Sequence, residues 1–564
     1  MPESRFVQSY RYLPMAPSRY ITYGIIPIVI FSIFLLLILF LFIPMVFTNP
    51  YLAALTYASI GFIIIFVILY PYVRYEMIGK AIDQDMYLFI THLGILSTAY
   101  LPRKQLFSIL AEMKEYRSLA LEVRKVYTLI TKWHMNLPKA CRYVAEITPS
   151  EQFKDFLLRL AHGVETGESA ESFAINEQHS AMEEYASKYR ASLTVLEVLN
   201  EVYVTAMAGT LFFLSIIVLL PFLIGQDADL MMVLTVIIFI FVEVAMLYYI
   251  YITVPGEHIW KTSEIKTQVD RNVEKNFRWG ILFTIITCAI MIFGYIYFKI
   301  PLPLVIAMGL SPLFIPGYYV LEEENIIMNR DENYPAFIRS LGSSASGTGK
   351  ETTLALKKLT RYKFGRLTES IQGLYRRLAL RIDKVKSWKY FGAETGSDLI
   401  SKFNDLYLEG THIGGDPRNI SNIISENFLR ILTLRKSKYQ LAKITTYLYY
   451  GITVGITLVL FFTIYIGEAM SRIYSSMGIG MYAEEYPFLG VLSGTTFNLD
   501  FILAMAMFLI IIHSLVASLI VRIIYGGHKV GGLTHFVIML WLSAITALIA
   551  MVIVSLILPS SLFY

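Results

Sequence analysis

Phe156 to Phe173 reads FLLRLAHGVETGESAESF, and Phe403 to Ile420 reads FNDLYLEGTHIGGDPRNI. Phe156 aligns with Phe403, Gly163 with Gly410, Gly167 with Gly414 and Phe173 with Ile420, each pair 247 positions apart. Upstream, Phe89-Ile90-x-x-Leu93-Gly94 matches Phe337-Ile338-x-x-Leu341-Gly342 at a spacing of 248. Each copy reads as an apolar helix, a glycine-bounded turn and a further amphipathic helix. Both copies lie in polar blocks flanked by long apolar runs. A repeat inside a matching frame predicts two related helical modules hung from a membrane.

Composition agrees with a membrane setting. Hydrophobic residues make up 56% and charged residues only 16%, against about 25% charged in an average soluble chain. The two cysteines, Cys141 and Cys288, are too few for a disulfide framework. The first apolar run starts near Ile21 and is too long for the apolar core of a cleavable signal peptide.

A bilayer span needs roughly 20 mostly apolar residues. Nine stretches qualify, at about 21–47, 51–73, 202–225, 230–254, 280–298, 301–320, 445–467, 500–525 and 535–558. The expected class is therefore all-α: a polytopic membrane protein with about nine transmembrane helices and two repeated cytoplasmic helical bundles. Its expected parts are 1–73 (tail and two spans), 74–201 (module one), 202–320 (four spans with a short loop 256–279), 321–444 (module two) and 445–564 (three spans with an outer loop 468–499). Basic residues in short loops set the orientation. Arg5, Arg11 and Arg19, then Lys261, Lys266, Arg271, Lys275 and Arg278, then Lys529 all fall on one side of a nine-span chain. The N-terminus and both modules are expected in the cytoplasm and the C-terminus outside.

Helix punctuation is strong in both modules. Thr148-Pro149-Ser150-Glu151 and Asp416-Pro417 read as helix starts. Glu183 to Glu201 continues into the third span, and the helix begun at Pro417 continues into the seventh, a stiff connection in each case. Module one carries 15 Lys and Arg against 17 Asp and Glu, and module two 21 against 14. The excess gathers in 357–389, where Lys357, Lys358, Arg361, Arg376, Arg377 and Arg381 stand out. Such a stripe is a solvated helix face under positive-inside bias, a docking surface for an acidic protein, or a surface for anionic lipid at about 1 kcal/mol per basic residue.

No residue pattern supports catalysis, a cofactor or a metal. Gly347-Thr348-Gly349-Lys350 lacks the first glycine of a phosphate loop, with Ser344 in its place, and Glu351 follows the lysine. Gly414-Gly415-Asp416 has no second membrane aspartate to pair with, as aspartyl peptidase chemistry requires. Two ionisable residues fall at bilayer depth: Glu243 in the fourth span and His513 in the eighth. A charge there costs at least about 2.5–3.5 kcal/mol. Either the two meet across a pseudo-two-fold axis and lock the halves together, or Glu243 is protonated and bonded to a nearby hydroxyl or backbone group.

The run Thr148-Pro149-Ser150, Phe153, Phe156-Leu157, Arg159-Leu160, Gly163, Thr166-Gly167-Glu168, Tyr185, Tyr189, Leu193, Leu196, Leu199 and Glu201-Val202-Tyr203-Val204 resembles the archaeal type II/IV secretion F-domain family. These are the platform proteins of the archaellum and of archaeal type IV pili. The second copy keeps Phe403, Gly410 and Gly414 but little else. The resemblance implies a membrane platform without hydrolytic activity of its own. It would bind a cytoplasmic hexameric assembly ATPase and couple it to insertion of pilin or archaellin subunits. A homodimer under a symmetric ATPase is expected, with membrane lipid as a further partner and no nucleic acid. The basic stripe is the expected ATPase contact. A secondary transporter, or a membrane receptor or scaffold, is the alternative.

Overall fold

The computed structural model describes residues 9–13, 16–30, 32, 50–99, 103–113, 116–219, 228–262, 265–349, 351–476 and 499–557. Among them every regular element is helical, and the single backbone bridge, Trp260 with Ser397, is isolated. Residues 1–183, with 413–415, form one compact unit; residues 184–412, with 416–564, form a second.

In the first unit α1 (Pro50–Ser97) leads into four shorter helices: α2 (Arg103–Glu112), α3 (Arg117–Lys132), α4 (Leu137–Ile147) and α5 (Glu151–Glu165). The next helix, α6 (Ala170–Leu219), begins here. Prolines punctuate the order. Pro138 sits in the first turn of α4, and Pro149 precedes Ser150, whose hydroxyl caps α5 by accepting from Phe153 N at 2.9 Å. Phe89, Phe153, Phe156 and Tyr116 are fully buried and form an edge-to-face aromatic core around Phe89. Arg159 on α5 clasps the buried Glu177 on α6 with both its Nε and Nη2. Near the N-terminus, the Tyr12 hydroxyl reaches Ile147 O (2.9 Å) and Glu122 Oε1 (3.1 Å), seating residues 10–12 on this unit. Burial, then the neighbouring Glu122, pushes the Tyr12 phenol far above its ordinary value.

The second unit holds the rest of α6, then α7 (Ala228–Thr253), α8 (Gln268–Phe298), α9 (Leu302–Leu310) and α10 (Phe314–Ser346). Four short helices follow: α11 (Thr352–Leu359), α12 (Thr368–Ala379), α13 (Lys384–Thr395) and α14 (Asp398–His412). The unit closes with α15 (Pro417–Ser476), α16 (Leu499–Tyr525) and α17 (Gly532–Ile557). The element order of the first unit thus recurs. Helices α5 and α14 are each 15 residues long, and their first residues, their last residues and the starts of α6 and α15 are all 247 positions apart. Between them Gly167 has φ +80° and Gly414 φ +98°, the left-handed turn that glycine makes without strain. Gly163 and Gly410 lie within α5 and α14 and are both buried.

Among the described residues seven helices are long and apolar enough to cross a membrane. They coincide with the third to ninth expected spans. The first expected span, 21–47, lies largely outside the described residues; the second, 51–73, falls within α1, whose side chains are described only from Val67 on. Most of the outer loop 468–499 also lies outside them. In its most apolar window α16 is 61% buried and α8 only 11%, so α16 stands at the centre of this bundle and α8 at its rim. The sixth span, expected at 301–320, changes helix type along its length. A 3-10 turn at Ser311–Leu313 separates α9 from α10, where Pro312 can neither donate a backbone hydrogen bond nor fit its ring in the preceding turn. The polarity changes at 73/74, 201/202, 320/321 and 444/445 all fall inside helices, namely α1, α6, α10 and α15. Entry to each module is helical as well as exit.

Candidate functional site

Two features of the second unit bear on function: a polar cluster inside the apolar bundle and a basic surface on its short helices.

Helices α7 and α16 pack along each other. Glu243 and His513 are both fully buried between them, with His513 Nδ1 2.6 Å from Glu243 Oε1. Tyr203 on α6 lies 3.0 Å from both carboxylate oxygens, and His513 Nε2 lies 3.1 Å from Thr453 Oγ1 on α15. Four helices therefore converge on one carboxylate–imidazole pair. The Glu243 carboxyl thus has hydrogen-bond partners on two other helices, which offsets part of the cost of enclosing it in an apolar bundle. Next to it the rings of Tyr203 and Tyr449 approach to 4.7 Å. Asn200 donates to Thr445 Oγ1 at 2.7 Å and accepts from the Tyr449 hydroxyl at 3.2 Å. The α6–α15 pair is thus stitched by side chains 245 to 249 positions apart.

The basic residues divide into two kinds. Lys357 and Lys358 end α11, Arg361 follows it, Arg376 lies in the last turn of α12 and Arg381 follows α12; all five are exposed. Arg381 has φ +57° in the turn towards α13. The turn also exposes Leu380 (76%), so the basic surface has an apolar component. Arg377 is different. Its guanidinium makes a two-pronged bond to Glu394 on α13, at 2.6 and 2.8 Å, and it lies over the Tyr390 ring. Glu394 lies just beyond the charge run read from the sequence, and the α12–α13 turn brings it back.

From the sequence, 256–279 reads as a short loop whose basic residues set the orientation, and its first part, with residues 254 and 255, has tertiary contacts that this reading does not contain. The Pro255-Gly256 dipeptide marks a turn, but nothing local shows its tertiary contacts, whose partners lie from 64 positions away (Glu324) to 267 (Gly526).

Among known proteins, the type II secretion system (T2SS) protein F family matches residues 89–218. The chain is 34% identical over 542 residues to flagella accessory protein J of Methanococcus voltae, covering 95% of this chain and 96% of that one. It is 34% identical over 551 residues to flagella accessory protein J of Methanocaldococcus jannaschii, covering 96% of each. No solved structure matches.

Proposed function

The chain belongs to the flagella accessory protein J family, archaellum platform proteins with a type II secretion system protein F domain, and from that premise we propose that it couples a cytoplasmic assembly ATPase to the insertion of filament subunits. The observation that carries this reading is the pair of unbroken helices α6 and α15. They are 50 and 60 residues long, and each begins beside a short-helix module and ends in an apolar span. At 1.5 Å per residue such a helix transmits displacement over roughly 75–90 Å without a joint. The role is structural, and ATP hydrolysis belongs to the partner.

Both modules and the N-terminus face the cytoplasm in this reading, with the C-terminus outside. Two separate observations support it. Tyr12 seats the N-terminal segment on the first unit. Within the second unit, loop 254–262 and the turn after α16 touch the module helices, with Lys261 N donating to Gly396 O at 2.8 Å and His528 N to Glu324 Oε1 at 2.7 Å. An even number of spans separates segments that share a side.

Lys357, Lys358, Arg361, Arg376 and Arg381 contact an acidic face of the ATPase, and the exposed apolar side chains among them bury against it. Arg377 holds the α12–α13 turn in shape. The test is charge reversal of the five exposed residues in cells and in purified membranes. Loss of ATPase capture and of archaella, with the protein still in the membrane, is the expected result. Retained capture and normal filaments would refute the assignment.

A further inference from the structure

Loop 254–262 bonds to four helices of the second unit, α6, α10, α14 and α15, and to the turn that follows α16. Pro255 O accepts Lys438 Nζ at 3.3 Å and His258 O accepts Arg435 Nη2 at 3.3 Å, both from α15. Ile259 N donates to Gly526 O at the end of α16 (3.0 Å), and Ile259 O accepts Asp398 N at the start of α14 (3.1 Å). Trp260 Nε1 donates to Glu324 on α10 at 2.8 Å, and the same carboxylate oxygen takes Arg522 of α16 at 2.5 Å. Thr262 donates to Asp398 Oδ1 at 2.9 Å. The fit is close enough that a Cβ on Gly526 would come within 2.6 Å of the Glu257 carbonyl.

Glu257 is the centre of this junction. Its Oε2 takes Arg435 Nε of α15 at 3.0 Å and the Tyr189 hydroxyl of α6 at 3.4 Å, and its Oε1 takes the Tyr185 hydroxyl of α6. Burial by itself would raise this carboxyl; Arg435, Lys438 and the Tyr185 hydroxyl together hold it below the ordinary carboxylate range, so it stays charged. One buried anion therefore joins the two long helices, from a segment belonging to neither. A lone buried carboxylate would be costly, so its partners on both helices are held to it.

We infer that Glu257 is a positioning residue that ties α6 to α15, and that loop 254–262 is the junction through which motion of the second module reaches the whole bundle. This rests on the platform reading above. If the helices slid past one another at this level, displacement of a module would be absorbed there before reaching the apolar spans.

The test uses the full chain with Cys141 and Cys288 replaced by serine. Spin labels go at Arg190→Cys on α6 and Ser437→Cys on α15, both exposed positions, in lipid nanodiscs. The parent is expected to show one narrow inter-label distance. Glu257→Gln, and separately Tyr185→Phe with Tyr189→Phe, are expected to at least double its width. In cells both variants should keep ATPase capture while filaments per cell fall at least fivefold. An unchanged width, or unchanged filament number, overturns the inference. If Glu257→Gln fails to accumulate, the double tyrosine variant, which leaves the ion pair intact, decides alone. If the parent itself proves dispensable for filaments, the platform reading fails, while the label widths still decide whether the tie exists.

Discussion

Glu243 and His513, 270 positions apart in sequence, meet at 2.6 Å inside the bundle, with both side chains fully buried. Removing one partner leaves the other polar and enclosed. Glu243→Ala or His513→Ala should each cost about 3–5 kcal/mol, while the double replacement by leucine should cost much less than the sum. Thermal unfolding of the detergent-solubilised protein, followed by gel filtration, measures this. Strictly additive losses would mean that the two groups do not depend on each other.

The two glycine sites of the repeat should respond differently to alanine. A Cβ at Gly167 meets nothing within 4 Å, so Gly167→Ala carries only the strain of its +80° φ, roughly 1 kcal/mol or somewhat more. A Cβ at Gly342 would overlap both Ser421 Oγ and the Pro417 carbonyl oxygen. Gly342→Ala should therefore sharply reduce accumulation in the membrane. Ser421→Ala should not rescue it, because the backbone obstacle remains; full rescue would show that the helices can move apart.

The basic surface and the Arg377 fork should separate under mutation. Lys357→Glu with Lys358→Glu should abolish ATPase capture with little change in melting temperature. Arg377→Ala should instead cost about 1 kcal/mol of stability, since its ion pair with Glu394 is partly solvent-screened. Capture that falls with Arg377→Ala but survives the lysine reversal would move the contact to the α12–α13 turn.

Acid should loosen the junction. The Glu257 carboxyl is held below its ordinary value of 4.5 when folded. Its contribution is therefore present in full above that value and is lost as pH falls through the folded value. Arg435, Lys438, Tyr185 and Tyr189 are the groups that face it. Melting curves in micelles between pH 3 and 7 should show a steeper acid loss for the parent than for Glu257→Gln. Parallel curves would remove Glu257 from the account.

Local chemistry made much of this protein legible in its sequence. Helix type, seven of the apolar spans, the starts at Ser150 and Pro417 and the 247-residue repeat follow from apolar periodicity, proline and glycine, all of which act within a few residues. The 3-10 turn at Pro312 was legible too, but the unbroken apolar run around it concealed it. Only the tertiary structure decided which polar groups meet. Glu243 chose His513 and Tyr203, Arg377 chose Glu394, and Glu257 chose partners on both long helices. A buried charge must find compensation wherever the packing of distant helices places it, and no spacing along the chain encodes that.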